Sequence, residues 1–430
     1  MRYIPIKSGF FSENRRRLSK LLEPRSVAIF NANDEYLRNG DQRFIYRQQS
    51  DFFYLTGIEQ EKSVLMLAPD YPDPKLREIL WVLRTSEQMA IREGHKVTRE
   101  EAHAISGIKN VQWLDNLEMT LRDLILWSDH IYLNTYEYPK FSSEVESRDL
   151  RFAHSLIRQY PVHKYLRAAP LMTKLRMIKT DTEVDLIRKA NEITGKAFRR
   201  MLRFVKPGVY EFEIQAEMEH EFLINRANGS AFPPIIATGK NACVLHYHQN
   251  NSQCADGNLV LFDFGAEYAN YAADVSRTIP VNGKFTPRQK QLYELVHRVQ
   301  KLAVQQMIPG NTMENYNSFV NQEMEKEMIK MGLLDKQEVK NQNPENPLFK
   351  KYFMHGTAHH LGLDVHDVIH RFEPFQSGMV FTCEPGIYIP QEGIGIRLEN
   401  DILISENGPV DLSADIPVEL NEIEQLMTQQ

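Results

Sequence analysis

The stretch Leu259-Val-Leu-Phe-Asp263-Phe-Gly265 places a carboxylate in a run of strand-forming apolar residues. Aspartate is depleted in β-strands, and an isolated buried carboxylate is costly unless a proton, a cation or a metal lies beside it. A second aspartate, Asp274, follows after ten intervening residues, an even number that permits both carboxylates to stand directly opposite each other in an antiparallel hairpin. Carboxylates that close repel each other, so the pair indicates either a shared proton or a divalent cation.

Two later segments add acids that a solvated surface would not need. Glu384 precedes Pro-Gly, and Glu399 lies in the alternating run 394–402, on the same face as Arg397. Taken alone, that run is typical of a solvated strand face with an Arg-Glu pair. Together with the hairpin, these glutamates raise the number of candidate ligand carboxylates to four.

Histidines are concentrated in the same part of the chain. His355, His359 and His366 lie in a segment with glycines and small residues, which allow close approach of the backbone to a site. His246 lies in the strand-like sequence Val-Leu-His-Tyr-His. A lone histidine is more often a hydrogen-bonded residue than a ligand, and we apply that interpretation to His248, as well as to His360 and His370. One histidine with four carboxylates forms an oxygen-rich set that suits Mn²⁺, Fe²⁺, Co²⁺ or Mg²⁺, and four acids suit two metals rather than one.

The bulk composition limits the classes of function. The chain has 430 residues, more than one hydrophobic core usually contains, so two domains are expected. A formal net charge of -6 argues against general binding to nucleic acid or to an anionic membrane. The basic run Arg15-Arg16-Arg17 is interpreted as the solvated face of a helix.

Cysteine usage and hydropathy bear on the compartment. The three cysteines show neither a repeated spacing nor a Cys-x-x-Cys pattern, which predicts reduced thiols. The N-terminus lacks a long apolar segment, and no apolar run approaches ~18 residues. We therefore expect a cytoplasmic protein that does not interact with membranes.

The local patterns predict an α/β first half. Short apolar runs at 26–30, 63–68, 79–83 and 130–133 alternate with helical segments such as 98–106, which favours a mixed or parallel sheet. The turn-rich stretch 161–170 is a candidate boundary. Two domains are therefore predicted, at residues 1–168 and 169–430.

The second half contains a repeated helical pattern. Thr180 and Glu183 fit a capping box, the helix runs to Val205, Lys206-Pro-Gly208 ends it, and a second helix spans 212–225. About a hundred residues later, Thr286-Pro287 begins a helix to Met307, and another follows at 313–331. The repetition indicates internal duplication.

These residues and their order resemble the aminopeptidase P family of pita-bread metallopeptidases. Five candidate ligand positions agree in type, order and context, and Tyr46-Arg-Gln-Gln-Ser-Asp-Phe-Phe-Tyr-Leu-Thr-Gly57 resembles the signature of the family's N-terminal domain. The resemblance implies an α/β (α+β) chain in which a mixed-sheet domain precedes a pita-bread catalytic domain with an internal pseudo-twofold axis. It also implies hydrolysis of the bond between an N-terminal residue and a following proline by a hydroxide bound to two metals.

The resemblance assigns a role to each ligand. Asp263 would chelate one metal ion, and Asp274 and Glu399 would bridge both. His359 and Glu384 would complete the second metal, and Glu384 would also act as general base. Mn²⁺ is the expected ion, with Co²⁺, Fe²⁺ or Zn²⁺ as alternatives.

Other residues are implied to contact the peptide. His246 and His366 match positions that bind the scissile carbonyl and stabilise the developing oxyanion. His355 matches an active-site histidine with a hydrogen-bonding role. Tyr388 and Arg397 would line the same pocket, with Arg397 either orienting acids or meeting the peptide.

The family implies a homodimer or homotetramer, and one departure concerns its interface. Relatives often carry a Trp-x-Gly element that reaches a neighbouring subunit's active site, whereas this chain has Ile91-Arg-Glu-Gly94. An Xaa-Pro dipeptidase (prolidase) shares the fold and the ligands and is the nearest alternative. A pita-bread protein that binds without catalysis is disfavoured because the ligand set is complete.

Overall fold

The computed structural model describes residues 2–138, 143–370 and 372–428. The chain divides into two compact units, one formed by Ile4–Arg176 and the other by Met177–Gln430 together with Met1–Tyr3. The predicted boundary between residues 168 and 169 stays a prediction. No helix within the described ranges is both long and apolar enough to cross a membrane.

The unit Ile4–Arg176 is a mixed sheet with helices. Its strands are β1 (Ser26–Asn31), β2 (Leu37–Asn39), β3 (Gln42–Arg43), β4 (Val64–Leu67), β5 (Glu78–Val82), β6 (Asn110–Trp113), β7 (His130–Leu133) and β8 (Lys164–Arg167). Its helices are α1 (Ser8–Ser19), α2 (Ser50–Thr56), α3 (Glu87–Glu93), α4 (Arg99–Ser106), α5 (Leu117–Trp127), α6 (Arg148–Gln159) and α7 (Ala169–Met177), the last of which ends at the division between the units.

The strand order in this sheet is β6-β5-β4-β1-β7-β8. β4 pairs antiparallel with β1 and β5, whereas β5–β6, β1–β7 and β7–β8 are parallel. β1 and β4 are buried along their whole length, as expected for apolar runs covered on both faces. The predicted mixed-sheet α/β organisation of the first half is confirmed.

The prediction that Arg15 lies on a solvated helix face is wrong. Its side chain is 1% exposed, and its guanidinium donates to the carbonyl oxygens of Leu55 at 2.8 Å and Ser106 at 3.0 Å, and to Glu78 at 3.3 Å. The buried charge is satisfied because carbonyls that end two other helices converge on it. Charge runs alone carry no information about such partners.

The unit Met177–Gln430 contains two helix pairs, each followed by antiparallel strands. Its helices are α8 (Asp181–Phe204), α9 (Glu211–Ile224), α10 (Pro287–Val304), α11 (Met313–Lys330), α12 (Lys336–Lys340) and α13 (Leu420–Thr428). Its strands are β9 (Gly229–Ser230), β10 (Ile235–Thr238), β11 (Leu259–Phe264), β12 (Ala266–Tyr268), β13 (Tyr271–Ala272), β14 (Val275–Pro280), β15 (Val380–Cys383), β16 (Gly386–Ile389), β17 (Ile394–Arg397), β18 (Asn400–Leu403) and β19 (Val410–Asp411).

The predicted duplication of helix, break and helix is present in this unit. The predicted capping box forms at Thr180 for α8, and the predicted capping residue Thr286 also forms a capping box, at the start of α10. α10 ends at Val304 rather than at Met307, because the N–H groups of the next residues bond three residues back and tighten the chain into turns. The strands that follow the two pairs form the sheets β10-β11-β14 and β15-β18-β19 and the ribbon β16-β17.

The hairpin that carries the two aspartates has a different register from the one that the sequence permits. Asp263 pairs with Ser276, and Asp274 lies two residues before that partner. The register is set by the two-residue turn Ala269-Asn270, with φ of 51° and 65°, in the left-handed region that a type I′ turn requires. The carboxylates therefore lie diagonally on one face, and direct opposition is wrong.

Candidate metal centre and active site

Five candidate ligands project from the strands of this unit and from the loops beside them. Asp263 is on β11, Asp274 directly precedes β14, and Glu384 directly follows β15. Glu399 lies between β17 and β18, where its N–H donates to the carbonyl of the β14 residue Ser276 at 3.1 Å. This backbone bond joins the two acid-bearing regions, so residues more than a hundred positions apart share one site.

His359 is held against β15 and faces the acids. Its backbone N–H donates to the Thr382 hydroxyl at 3.1 Å, and its Nδ1 lies 3.0 Å from the carbonyl oxygen of His360. A carbonyl only accepts, so Nδ1 carries the proton and Nε2 presents its lone pair to the site. Nε2 lies 3.4 Å from Asp274 Oδ2 and 3.9 Å from Glu384 Oε1.

The acids of this site lie close to one another. Ligand atoms of Asp274, His359 and Glu399 lie within 4.8 Å of one another. Burial, followed by the neighbouring carboxylates, raises the pKa of Asp274 and of Glu399 well above their ordinary values. Oδ1 of Asp263 and Oδ1 of Asp274 are buried without a hydrogen-bond partner. Unpartnered, mutually repelling oxygens around an imidazole fit hard divalent cations.

Arg397 orients two of these acids. Its side chain is 5% exposed, which excludes the solvated-face interpretation, and its Nη2 donates to Asp263 Oδ2 at 2.7 Å. Its Nε donates to the Ser276 hydroxyl at 2.8 Å, which in turn donates to Glu399 Oε2 at 2.7 Å. Its Nη1 donates to the Tyr388 oxygen at 3.1 Å. One guanidinium thus fixes Asp263 directly and Glu399 through a hydroxyl.

His355 ends this hydrogen-bonded chain as a neutral imidazole. Its Nδ1 lies 2.7 Å from the Gly356 carbonyl oxygen, so its Nε2 accepts the Tyr388 O–H at 2.8 Å. Burial, followed by the positive charge of Arg397, lowers the pKa of His355 to about 4. Burial raises the pKa of Tyr388 to about 12, so the phenol keeps its proton at neutral pH.

The two predicted carbonyl-binding histidines are exposed. His366 lies with its ring centroid 4.3 Å from that of His359. His246 lies on a turn after the 3₁₀ segment Gly239–Cys243, so the prediction of a strand there is wrong. Side chains, rather than a neighbouring strand, satisfy the backbone N–H groups at the ends of this loop, as with Glu211 and the N–H of Ser252.

Three residues of the site were not predicted from the sequence. Ser276 and Thr382 are buried strand residues whose hydroxyls face the ligands. Asp401 is 0% exposed, accepts the N–H of Asp274 at 3.2 Å and the Asn191 amide at 2.7 Å, and has its pKa raised by burial to about 7. The alternation of the run 394–402 places Asp401 on the same face as Glu399, and this sequence feature could have identified Asp401 as a site residue.

Comparisons with known proteins agree with this geometry. The model of metallopeptidase family M24 matches residues 185–406, and the model of the aminopeptidase P N-terminal domain matches residues 11–132. The Xaa-Pro aminopeptidase of Escherichia coli strain K12 is 33% identical over 97% of each chain. The Xaa-Pro aminopeptidase of Haemophilus influenzae is 32% identical over 97% of this chain and 96% of its own.

Solved structures match over almost the entire length. The structure of zinc-substituted E. coli aminopeptidase P in complex with product superimposes with a TM-score of 0.88 at 31% identity and covers 99% of each chain. Both units therefore have counterparts in one known protein.

Proposed function

The chain belongs to the aminopeptidase P family of M24 metallopeptidases, and we propose on this basis that it removes the N-terminal residue from peptides with proline in the second position. The observation that carries the proposal is the cluster of Asp274, His359 and Glu399, whose ligand atoms lie within 4.8 Å of one another and whose two carboxyl groups have strongly raised pKa values. An Xaa-Pro bond is a tertiary amide with restricted geometry, which general peptidases handle poorly.

We propose that five side chains hold two divalent cations, with Mn²⁺ as the expected ion and Co²⁺, Fe²⁺ or Zn²⁺ as alternatives. The unpartnered Oδ1 atoms of Asp263 and Asp274 support this assignment. When bound, such ions lower the pKa of a water molecule that they share and polarise the carbonyl. The proposed ligands are Asp263, Asp274, His359, Glu384 and Glu399.

The chain's own residues would move protons and hold the peptide. Glu384 is half-buried, with Oε2 3.9 Å from His355 Nδ1, and we assign to it the role of general base. His246 and His366 are exposed side chains, suited to donate to an oxyanion that develops on the peptide. Tyr388, Arg397 and His355 are joined by hydrogen bonds beside these ligands, and Arg397 holds the Asp263 carboxylate in place.

Paired peptides test the substrate class. We expect a metal-loaded preparation to release glycine from Gly-Pro-X tripeptides and to leave a Gly-Ala-X control largely intact. Cleavage of the dipeptide Gly-Pro alone, with tripeptides untouched, would instead identify an Xaa-Pro dipeptidase. Failure to cleave either substrate, with the metal bound, would favour the non-catalytic alternative.

We also propose that the protein is a homodimer or homotetramer. The β2–β3 hairpin exposes Leu37 by 65%, Phe44 by 58% and Ile45 by 93%, which supports an interface on the unit Ile4–Arg176. Ile91, the first residue of the segment Ile91-Arg-Glu-Gly94 that lacks the tryptophan, is 84% exposed. Light scattering should give two or four times the chain mass of 50.1 kDa. A mass of one chain would contradict the proposal.

The cytoplasmic location is likewise a proposal. The three cysteines are free thiols, and reduced thiols are typical of a reducing compartment. Fractionation of the producing cells, with a periplasmic or secreted marker as control, tests it.

A further inference from the structure

The loop that carries His246 has no regular secondary structure to hold it. After the 3₁₀ segment Gly239–Cys243 it runs through exposed residues, including Val244 and His246, before it returns at Ser252. A side chain on such a loop can place its imidazole for catalysis only if other groups fix the loop.

One buried carboxylate accepts hydrogen bonds from this loop and from the segment before it. Glu211, the first residue of α9, is 0% exposed and accepts four hydrogen bonds, two on each oxygen. Oε1 accepts the Thr238 N–H at 2.8 Å and the Asn241 amide at 3.1 Å. Oε2 accepts the Ser252 N–H at 2.8 Å and the Tyr247 hydroxyl at 2.7 Å. The donors lie at the end of β10, in the 3₁₀ segment, within the loop and at the end of the loop.

All four donors are neutral, and Glu211 lies at the N-terminus of α9, a position that favours an acidic side chain. A carboxylate is the side chain that can accept on both oxygens at once. The backbone adds to the attachment, because the N–H of Glu211 donates to the Ser252 carbonyl at 3.0 Å.

The same loop packs against residues of the candidate active site. The Tyr247 ring lies in an apolar cluster that contains Ala242 and Tyr388. A Cβ on Gly395 would lie 2.1 Å from the Ala242 carbonyl oxygen, so the loop touches β17 directly. The Tyr388 hydroxyl bonds both His355 and Arg397, and His246 contributes to the lowered pKa of His355. A movement of the loop would therefore displace His246 relative to these residues.

We propose that Glu211 is a positioning residue whose carboxylate, acting through Tyr247 and the loop ends, holds His246 where it meets the scissile carbonyl. The inference rests on the role given to His246 in the proposed function. The hydrogen-bond partners of the Glu211 carboxylate all lie in the segment 238–252, so we expect its effect to pass through the loop.

The substitution Glu211→Gln tests the inference with little change in volume. In either orientation of the new amide, its NH₂ group faces a backbone N–H, that of Thr238 or that of Ser252, so one loop end loses its acceptor. We expect kcat/KM for a Gly-Pro-X tripeptide to fall about tenfold or more, mostly in kcat, with bound metal unchanged. His246→Ala should show the same division between kcat and KM.

Tyr247→Phe is a gentler variant that avoids a buried mismatch. It removes one of the four donors and leaves the ring in the apolar cluster, so kcat/KM should fall about three- to tenfold. The matched control is Tyr293→Phe, which removes a buried hydroxyl that donates to the Val418 carbonyl at 2.7 Å in the same unit. The control should lower the melting temperature similarly and leave kcat/KM unchanged.

A double-mutant cycle tests whether Glu211 acts through His246. If Glu211 acts through His246, Glu211→Gln and Tyr247→Phe should each change kcat/KM less than twofold in the His246→Ala background. Effects that persist in full in that background would overturn the inference for Glu211 alone. A wild-type kcat/KM for His246→Ala would instead overturn the role of His246 in the proposed function. If Glu211→Gln does not fold, Tyr247→Phe carries the same cycle.

Discussion

Asp274 is the residue on which the proposed metal centre depends most directly. Its Oδ1 is buried without a partner, its Oδ2 lies 3.4 Å from His359, and three other carboxylates raise its pKa after burial. An ionised carboxylate in this position opposes folding unless a proton or a cation compensates it. This environment supports the proposed role of Asp274 as a metal ligand.

We expect Asp274→Ala to abolish peptide hydrolysis and to reduce bound metal, because a proposed bridging oxygen is lost. Metal content by mass spectrometry and kcat/KM for a tripeptide measure this. Asp256→Ala, at an exposed aspartate of the same unit, should retain both. An active, metal-loaded Asp274→Ala protein would contradict the assignment of Asp274 as a metal ligand.

His366→Ala should separate substrate contact from metal binding. The side chain is exposed and packs edge-on against His359, which suits a group that acts on the substrate. We expect kcat to fall about 10²-fold or more, as when an oxyanion donor is removed, while bound metal stays near normal. Loss of metal with unchanged kcat per bound metal would instead make His366 a ligand.

At the scale of elements, the hairpin β11–β14 decides which acids meet. Gly265 faces the opposite strand so closely that an added Cβ would lie 1.7 Å from the Ala273 carbonyl oxygen. Asp274 directly follows Ala273, and Asp263 lies two residues before Gly265, so the backbone between the two carboxylates is tightly packed at this point.

Gly265→Ala should therefore force the backbone before Asp274 outwards. We expect the free energy of unfolding to fall by about 2 kcal/mol or more, as for overpacked sites, and metal affinity to fall with it. Metal titration and urea unfolding measure the two effects. Gly9→Ala, in α1 with nothing within 4 Å of the added Cβ, is the control and should be neutral or stabilising. Unchanged metal affinity in Gly265→Ala would contradict this account.

A second element-scale prediction concerns the junction of α6 and β1. Asp149 is buried and accepts two bonds from Asn31, and burial raises its pKa to about 7. The unfolded value is about 4, so the folded state binds the proton more tightly and its stability declines as pH rises from about 4 through 7.

Asp149→Asn should remove this dependence, because the amide oxygen still accepts from Asn31 and carries no charge. We expect the free energy of unfolding of the variant, measured with urea, to rise relative to that of the wild type by on the order of 2–4 kcal/mol as the pH is raised from 4 to 8. If the free energy of unfolding changes with pH in the same way in both proteins, ionisation of Asp149 does not destabilise the folded state and the prediction is wrong.

At the scale of the whole molecule, all five proposed ligands belong to the unit Met177–Gln430. Adding Mn²⁺ to metal-free protein at a hundred times its Kd should stabilise the folded state by about 2.7 kcal/mol. We expect the added protection from amide hydrogen exchange to concentrate in β11, β14, β15 and β18, with the β1–β4–β5 strands of the other unit as the internal reference. Protection confined to that reference would place the metal elsewhere.

Local patterns in the sequence predicted much of the fold. The capping boxes at Thr180 and Thr286 began helices where expected, and the apolar runs 26–30 and 130–133 became strands. These succeed because capping and hydrophobic periodicity act between residues a few positions apart. The burial of Arg15 and the irregular loop around His246 were missed, because their partners lie far away in sequence.

The sequence by itself determined the chemical identity of the site: four carboxylates and histidines in apolar surroundings, in an order that one family shares. Only the tertiary structure decided which atoms meet. The turn Ala269-Asn270 set the hairpin register, and the backbone bond from Glu399 to Ser276 brought distant acids together. Register and packing between remote segments depend on the whole chain's contacts, and residue types and spacing do not encode them locally.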